Sequence, residues 1–287
     1  VMADLPADVL ALSIGEIGRR LRAKEFSAVE LTRAALDRLE TQGRRHNAVA
    51  LLLRDEALRQ ARDADDLIKR GRTRNPLLGI PYGAKDLLAY KGQPTTWGAR
   101  PFAGQVFPEN ARVIDKLKGA GAILTAKLAM IELAGGTGYE RATASMTGPC
   151  LNPWDRTRWA GGSSSGSAAA IASGCVPFAL GSETCGSILN PSAYCGVTGL
   201  RPTYGLVSRR GAMALAWSLD KVGPLARTVE DCAIVLEAIS GGDSDDPASA
   251  GKTFYRAPQV ARSPQQLTLG YAPVDFDNWA EPTTRSA

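Results

Sequence analysis

Two serine-rich stretches carry the residues best suited to covalent chemistry. They are GGSSSGSAAA, which contains Ser163, and GSETCGSILNPS, which contains Ser187, and the two serines stand 24 positions apart. A serine hydroxyl becomes a nucleophile when a neighbouring base takes its proton. The single histidine of the chain, His46, lies in the polar run TQGRRHN, far from both serines in the sequence. A Ser-His-Asp arrangement is therefore disfavoured.

Lysine is the remaining candidate for the base. Lys85 interrupts the apolar segment LLGIPYGAKDLL, and this pattern favours a buried side chain. Burial disfavours the charged ammonium, so the pKa of Lys85 should fall by several units from about 10.4. Asp86 should not oppose this shift, because adjacent side chains on a strand point to opposite faces. By spacing alone, a surface lysine on an edge strand fits the pattern equally well.

The two serine loops suggest different roles. Ser187 follows the strand-like segment VPFALGS, and a serine on a tight turn after a strand presents its hydroxyl at the sheet edge, where backbone N–H groups can converge on an oxyanion. Ser187 is the predicted nucleophile, and a plain turn serine is the alternative. Ser163 lies in a linker-like run that is flanked by WDRTRWA and an apolar helical segment. We expect Ser165 or a neighbour to cap that helix, and Ser163 to relay a proton to Lys85.

Composition argues against several classes of protein. The net charge of +5 comes from scattered basic pairs with acidic residues nearby, so no nucleic-acid partner is expected. The five cysteines form no Cys-x-x-Cys pair, so neither a disulfide framework nor a metal site is expected. No apolar run reaches the length of a membrane span, and the first thirty residues lack a signal-peptide core. We expect a cytoplasmic protein without a cofactor or membrane contact, and a homodimer is compatible with the sequence.

The elements that must position these residues alternate between helix-like and strand-like patterns. Ser13 and Ser27 each begin a capping box, and short apolar runs alternate with amphipathic ones from Leu77 onward. This alternation predicts an α/β protein with a central, largely buried sheet. We expect a single domain over residues 1–287, with N-terminal helices over 1–72, a catalytic core over 73–240, and a loop with a final strand at 267–271 over 241–287.

Several long segments together resemble the amidase signature family. The resemblance implies a central mixed β-sheet covered by helices. Family members are longer than this chain, so it also implies that the C-terminal part, which completes the sheet and lines much of the substrate pocket, is largely missing here. The segments that carry the resemblance are ALSIGEIGRRLRAKEFSAVELTRAALDRLE, GIPYGAKD, NPWDRTRWAGGSSSGSAAAIASG, GSETCGSILNPSAYCGVTGLRPTYGLVSR and SLDKVGPLARTVEDCAIVLEAISGGD.

The resemblance also implies roles for individual residues. Lys85 is similar to the family's catalytic lysine, Ser163 to its bridging serine after a cis peptide bond, and Ser187 to the nucleophile that forms an acyl-enzyme. The implied activity is hydrolysis of a small-molecule amide by this Ser-Ser-Lys triad. Met130 lies in AKLAMIEL, which resembles a stretch near the acyl site, and it is a candidate for the substrate pocket.

The second serine loop is similar to the family's oxyanion hole, formed by the backbone N–H groups around Thr184, Cys185 and Gly186. The same loop departs from the family pattern at three places. Glu183 replaces an aspartate, Cys185 replaces a glycine, and Leu189 replaces an arginine. If the acid and the arginine normally pair, Glu183 needs another donor.

Two other functions remain open at this point. Within the same fold, the chain resembles the glutaminase subunit of a tRNA-dependent amidotransferase, which requires partner subunits. A non-catalytic relative with a binding role is the alternative from a different class, and it is suggested by the three departures in the second serine loop and by the missing C-terminal part.

Overall fold

The computed structural model describes residues 5–6, 8–71, 75–256, 264–268, 270 and 272–279. The chain divides into two compact units, Val1–Tyr255 and Arg256–Ala287. In the first unit the strands are β1 (Val49–Leu52), β2 (Pro81–Lys85), β3 (Ile123–Leu128), β4 (Phe178–Glu183), β5 (Thr198–Gly199) and β6 (Lys221–Ala226). Its α-helices are α1 (Ile14–Arg22), α2 (Ala28–Arg38), α3 (Arg54–Lys69), α4 (Arg112–Gly119), α5 (Ser165–Ala172), α6 (Leu189–Cys195) and α7 (Val229–Ile239).

Capping side chains fix the starts of three helices. Ser13 accepts a hydrogen bond from the backbone N–H of Glu16 at the start of α1. Ser27 and Glu30 form a complete reciprocal capping box at α2, and Thr228 caps α7. These contacts satisfy N–H groups that have no partner within the helix. The two capping boxes predicted from the sequence therefore mark real helix starts.

The six strands form one mixed sheet in the order β1-β3-β2-β4-β6-β5. Strands β3, β2 and β4 are parallel to one another, while β1, β6 and β5 pair with antiparallel neighbours. Every residue of β2 and β3 is buried, as expected for parallel strands that are covered on both faces. The predicted α/β fold with a central mixed sheet is confirmed. Strands β1 and β6 were not predicted from the sequence.

The Ala-rich helix α5 lies close to the sheet. Its buried residues Ala168, Ala169 and Ala170 form a small apolar cluster with residues of β3 and β4, separate from the larger core that contains α1–α4 and α7. A side chain at Gly166 would come within 2.5 Å of the backbone nitrogen of Ala129, so this position requires glycine. Small residues thus let the start of α5, and the serines before it, approach the end of β3.

The predicted final strand is absent from the part of the second unit that the structure describes. Leu267 and Thr268 are exposed and belong to no strand, while residues 269 and 271 lie outside the described residues. A strand needs a neighbour to pair its backbone groups, and these residues have none among those described. Among the described residues of this unit, a 3-10 turn at Pro264–Gln266 precedes the expected strand position and a helix, α8 (Pro273–Trp279), follows it.

Candidate active site

Lys85 is the last residue of β2, and its side chain is fully buried. Its Nζ donates a hydrogen bond to Ser163 Oγ at 2.6 Å and to Ser182 Oγ at 3.0 Å. Burial lowers the pKa of Lys85 to about 7, although the negative charges of Asp220 and Glu183 act in the opposite direction. A substantial fraction of Lys85 is therefore neutral near pH 7, and only the neutral amine can act as a base.

Asp86, the next residue, belongs to a different cluster. Its carboxylate lies 2.8 Å from Nζ of Lys127 on β3, and both side chains are almost completely buried. It also accepts hydrogen bonds from the backbone N–H and the hydroxyl of Thr96. Asp86 thus points away from Lys85, as predicted from the alternation along a strand. The buried Lys127 thus has a carboxylate partner, whereas the buried Lys85 is hydrogen-bonded to serine hydroxyls.

Ser163 follows a cis peptide bond with Gly162, and its side chain is fully buried. Its backbone oxygen accepts a hydrogen bond from the N–H of Ile131 at 3.2 Å. Its neighbour Ser164 stands at the start of α5 but caps nothing through its side chain. The Ser164 hydroxyl is instead hydrogen-bonded to the backbone of Ser182 on β4. The expected serine cap of α5 is therefore wrong, because these hydroxyls tie the loop to the sheet.

Ser187 lies on the turn that leaves β4. The turn includes Gly186 at φ +94°, a conformation that strongly favours glycine. The backbone oxygen of Ser187 accepts a hydrogen bond from the N–H of Ser164 at 3.1 Å, so the two serine loops are directly joined. The side chain of Ser187 is almost completely buried, and its Oγ lies 2.5 Å from the hydroxyl oxygen of Tyr139.

Glu183 finds donors that replace the absent arginine. Its side chain is fully buried and accepts hydrogen bonds from the backbone N–H groups of Ile188 and Leu189 at 2.8 and 2.9 Å. Nη1 of Arg201 lies 3.1 Å from its other oxygen. Burial alone raises the pKa of Glu183, but these hydrogen bonds and that of Gly186 outweigh it and hold the pKa below its usual value. The Glu183 carboxylate therefore anchors the turn that carries Ser187.

Thr184 and Cys185 differ in how firmly they are held. The Thr184 hydroxyl donates a hydrogen bond to Asp220, and its backbone oxygen accepts one from Lys221 Nζ at 3.0 Å. Asp220 also accepts from the backbone N–H groups of Leu215 and Ala216. Cys185 has an exposed, free thiol. Its backbone N–H has no hydrogen-bond partner within the described residues.

The structure brings Ser163, Ser182, Thr184 and Ser187 to the wall of one pocket. The pocket encloses about 420 Å³ of empty space, including solvent at its mouth. Apolar side chains also line this pocket, among them those of Leu87, Met213, Leu215 and Trp217.

Four predicted site residues, Lys85, Cys185, Gly186 and Met130, are not among the residues that line this pocket. Of these, Met130 is fully buried in the core and faces a separate small cavity with Gly98 and Thr147. Its assignment to the substrate pocket remains a prediction. His46 is also buried, with its Nδ1 2.7 Å from the carbonyl oxygen of Gln42, and it is not among the residues that line the serine pocket.

Two residues that contact Lys85 and Ser187 were not predicted from the sequence. Ser182 bonds Lys85 but lies inside a strand, where a serine looks like an ordinary surface residue. Tyr139 bonds Ser187 from the end of a short turn, Gly136–Tyr139, whose sequence GTGY has the appearance of a simple loop. In the part of the chain that the structure describes, no group of three His, Cys, Asp or Glu side chains is placed to hold a metal ion. No helix there is long and apolar enough to cross a membrane.

Comparisons with known proteins identify the family of this chain. The family model described as Amidase matches residues 30–287. The A subunit of the glutamyl-tRNA(Gln) amidotransferase of Carboxydothermus hydrogenoformans is 45% identical over 239 residues, which cover 83% of this chain and 49% of that protein. The same subunit of Geobacter sp. (strain M21) is 46% identical over 242 residues, covering 84% of this chain and 49% of that protein.

Solved structures of similar proteins cover the same part of the chain. The native peptide amidase of Stenotrophomonas maltophilia is 37% identical with a TM-score of 0.78, over 85% of this chain and 51% of that one. The corresponding amidotransferase subunit of Thermotoga maritima is 34% identical with a TM-score of 0.73, over 88% and 51%. The chain spans about half the length of the relatives it matches. With this family match and these relatives, the chain belongs to the amidase signature family.

Proposed function

We propose that the protein hydrolyses an amide bond through an acyl-enzyme on Ser187. Ser187 Oγ attacks the carbonyl carbon, and its proton passes to Ser163 while the Ser163 proton passes to neutral Lys85. The amine leaves with a proton returned along the same path, which leaves an ester on Ser187. Water then attacks this ester by the reverse relay, releasing the acid and restoring the Ser187 hydroxyl.

The contact between Lys85 and Ser163 is the observation that carries this proposal. A nitrogen–oxygen distance of 2.6 Å allows direct proton transfer, and a pKa near 7 leaves a large fraction of Lys85 neutral at neutral pH. Ser187 lines the same pocket and is joined to the Ser163 loop through the backbone. No histidine or metal is needed for this route.

The proposed oxyanion hole consists of backbone N–H groups around Thr184, Cys185 and Gly186. Within the described residues, the N–H groups of Thr184 and Cys185 have no other hydrogen-bond partner. The N–H of Gly186 is directed to Glu183 and helps to hold the turn. A free N–H beside a nucleophile is available to stabilise the negative oxygen of a tetrahedral intermediate.

The pocket wall favours an uncharged, apolar group on the substrate. Asp220 is already hydrogen-bonded to Thr184 and to two backbone N–H groups, and Arg209 pairs with Asp246. The third charged residue of the lining, Lys221, donates a hydrogen bond to the backbone oxygen of Thr184. Leu87, Met213 and Leu215 supply apolar surface beside the serines. With its charged groups engaged, this wall gains most by covering apolar surface of the acyl or amine portion.

A panel of neutral carboxamides with aliphatic and aromatic acyl groups tests this function. We expect release of ammonia and the matching acid by the purified protein. A Ser187→Ala variant should lack the activity, and Ser173→Ala, a change in a serine that bonds only within its own loop and helix end, should retain it. Absence of turnover with every amide would favour the non-catalytic alternative.

A glutaminase subunit of a tRNA-dependent amidotransferase is the second candidate. It is favoured by identities of 45–46% with proteins named as subunits of glutamyl-tRNA(Gln) amidotransferases. This role requires hydrolysis of L-glutamine and partner subunits, so ammonia release from glutamine and stable co-purification with such subunits would support it. A preference for apolar amides over glutamine would exclude it. The cytoplasmic location, the small-molecule substrate and the homodimer expected from the sequence remain predictions.

A further inference from the structure

The hydroxyl of the proposed nucleophile is held by a residue outside the lysine–serine relay. The oxygens of Ser187 and Tyr139 lie 2.5 Å apart. Ser163 is hydrogen-bonded to Lys85, and within the described residues no hydrogen bond joins the hydroxyls of Ser163 and Ser187. The hydrogen bond between Lys85 and Ser163 is therefore formed, whereas the Ser187 hydroxyl is hydrogen-bonded to Tyr139 and not to Ser163.

Tyr139 is placed to make this contact by an unusual stretch of backbone. It ends the turn Gly136–Tyr139, which follows Leu133 and Ala134 at φ +52° and +59°. Such left-handed conformations are costly for residues other than glycine and persist where the surrounding structure enforces them. The Tyr139 ring is 41% exposed and packs edge-on against Trp159, with ring centroids 6.5 Å apart. Tyr139 is thus supported on one side and open to solvent on the other.

We propose that Tyr139 is a positioning residue that holds Ser187 in a resting orientation and thereby limits the rate of acylation. This inference rests on the proposed role of Ser187 as the nucleophile. Either hydroxyl can be the donor in this hydrogen bond, and in both cases the bond holds the oxygen that must attack the carbonyl carbon. When Ser187 donates to Tyr139, its O–H is also withheld from Ser163, to which proton transfer requires it to donate. Acylation begins when the Ser187 side chain rotates away from Tyr139 and its O–H turns to Ser163.

Replacing Tyr139 with phenylalanine separates this role from packing. Phenylalanine keeps the ring and its contact with Trp159 and removes the hydroxyl alone. Losing one neutral hydrogen bond shifts a population by about two- to tenfold, so we expect acylation of Tyr139→Phe to be faster by about that factor. A tyrosine that served only to support the loop would give the opposite result, a slower or unchanged rate.

Tyr194→Phe is the matched control. Tyr194 also packs edge-on against Trp159, with centroids 6.3 Å apart, and it is 53% exposed. Its hydroxyl makes no hydrogen bond within the described residues. Tyr194→Phe therefore removes a hydroxyl from another tyrosine that packs against Trp159, but it removes no hydrogen bond to Ser187. It should leave the acylation rate unchanged.

The test measures the rate at which a fluorophosphonate labels the purified protein, by intact mass. In this reaction the Ser187 oxygen forms a bond to phosphorus, fluoride leaves, and the Ser187 proton passes into the relay. Faster labelling of Tyr139→Phe, with Tyr194→Phe equal to the parent and both variants as thermally stable as the parent, is the expected result.

Labelling of Tyr139→Phe at or below the parent rate would overturn this inference while leaving the nucleophile intact. A different result bears on the proposed function itself: absence of any adduct on the parent, or an adduct that persists in Ser187→Ala, would remove Ser187 as the nucleophile and the inference with it. The two failures are therefore distinguishable in one set of measurements.

Discussion

The buried carboxylate of Glu183 lies 3.1 Å from the guanidinium of Arg201, a residue 18 positions further along the chain. Resemblance to the family left Glu183 without an obvious donor, because Leu189 stands where an arginine is usual. The longer acidic side chain reaches Arg201 and also accepts from two backbone N–H groups at the start of α6. The departures at Glu183 and Leu189 are therefore compatible with an ordered Ser187 turn.

Replacing Glu183 with alanine should destabilise the protein more than replacing Arg201. Glu183→Ala leaves the buried N–H group of Ile188 and the partly buried N–H group of Leu189 without their acceptor, which costs about 2–4 kcal/mol. Arg201→Met should cost less, because the Arg201 side chain is 48% exposed and the Glu183 carboxylate keeps its two backbone N–H donors. Denaturant unfolding at neutral pH measures both values. Equal losses for the two variants would show that the ion pair, and not the backbone contacts, anchors the turn.

The two buried lysines should respond differently to replacement by methionine. Lys85→Met removes the proposed base, and we expect acylation to fall by about 10²–10⁴-fold with the fold retained. Lys127→Met leaves Asp86 buried without its charged partner, and we expect a loss of about 3–5 kcal/mol in the free energy of unfolding. Labelling rates and unfolding curves of both variants test this contrast. Undiminished acylation in Lys85→Met would exclude its role as base.

Acylation should depend on pH through the neutral form of Lys85. Burial lowers its pKa to about 7, so the rate should rise about tenfold per pH unit below 7 and level off above it. Lowering the pH protonates Lys85, and a protonated lysine cannot accept the proton of Ser163. Measuring the labelling rate between pH 5 and pH 10 gives the midpoint. A rate that still rises steeply above pH 9 would indicate a lysine with its ordinary pKa.

Cys185 should be the one cysteine that reacts readily with a thiol reagent. Burial raises the pKa of Cys195 and Cys232 to about 12, and it also raises the pKa of Cys150 and Cys175. These four thiols are therefore protonated at neutral pH and, because they are buried, inaccessible to the reagent. We expect one equivalent of N-ethylmaleimide to be incorporated at pH 7, on Cys185. Peptide mapping identifies the site. Label spread over several cysteines would mean that the core around α5 and α6 opens readily.

The sequence predicted the parts of the site that depend on local pattern. An apolar segment around Lys85 indicated burial, and strand alternation placed Asp86 on the other side. The roles of Ser163 and Ser187 were predicted from the two serine loops, and the resemblance to the family implied the same roles. Spacing along the chain does not by itself show that the two loops meet. Contacts between distant segments were not predictable in this way. Tyr139 reaches Ser187 across 48 positions, from a turn whose sequence resembles any glycine-rich loop.

Some predictions from local sequence patterns were wrong because contacts with distant residues decide the structure. The serines before α5 matched a helix cap, but the hydroxyl of Ser164 bonds the backbone of Ser182 on β4 instead. The apolar run at 267–271 matched a strand, yet the described residues there are exposed and pair with no neighbour. Strand β6, which contains Gly223 and Pro224, was missed because its residues disfavour a strand and pairing with β4 overrides that preference.

The nucleophilic role of Ser187 is tested by intact-mass spectrometry after treatment with a fluorophosphonate, comparing the parent protein with Ser187→Ala and Ser173→Ala. The proposed Ser-Ser-Lys relay predicts a single adduct on the parent and on Ser173→Ala, mapped to the peptide that contains Ser187, and none on Ser187→Ala. An adduct that persists in Ser187→Ala, or no adduct on the parent protein, would contradict it.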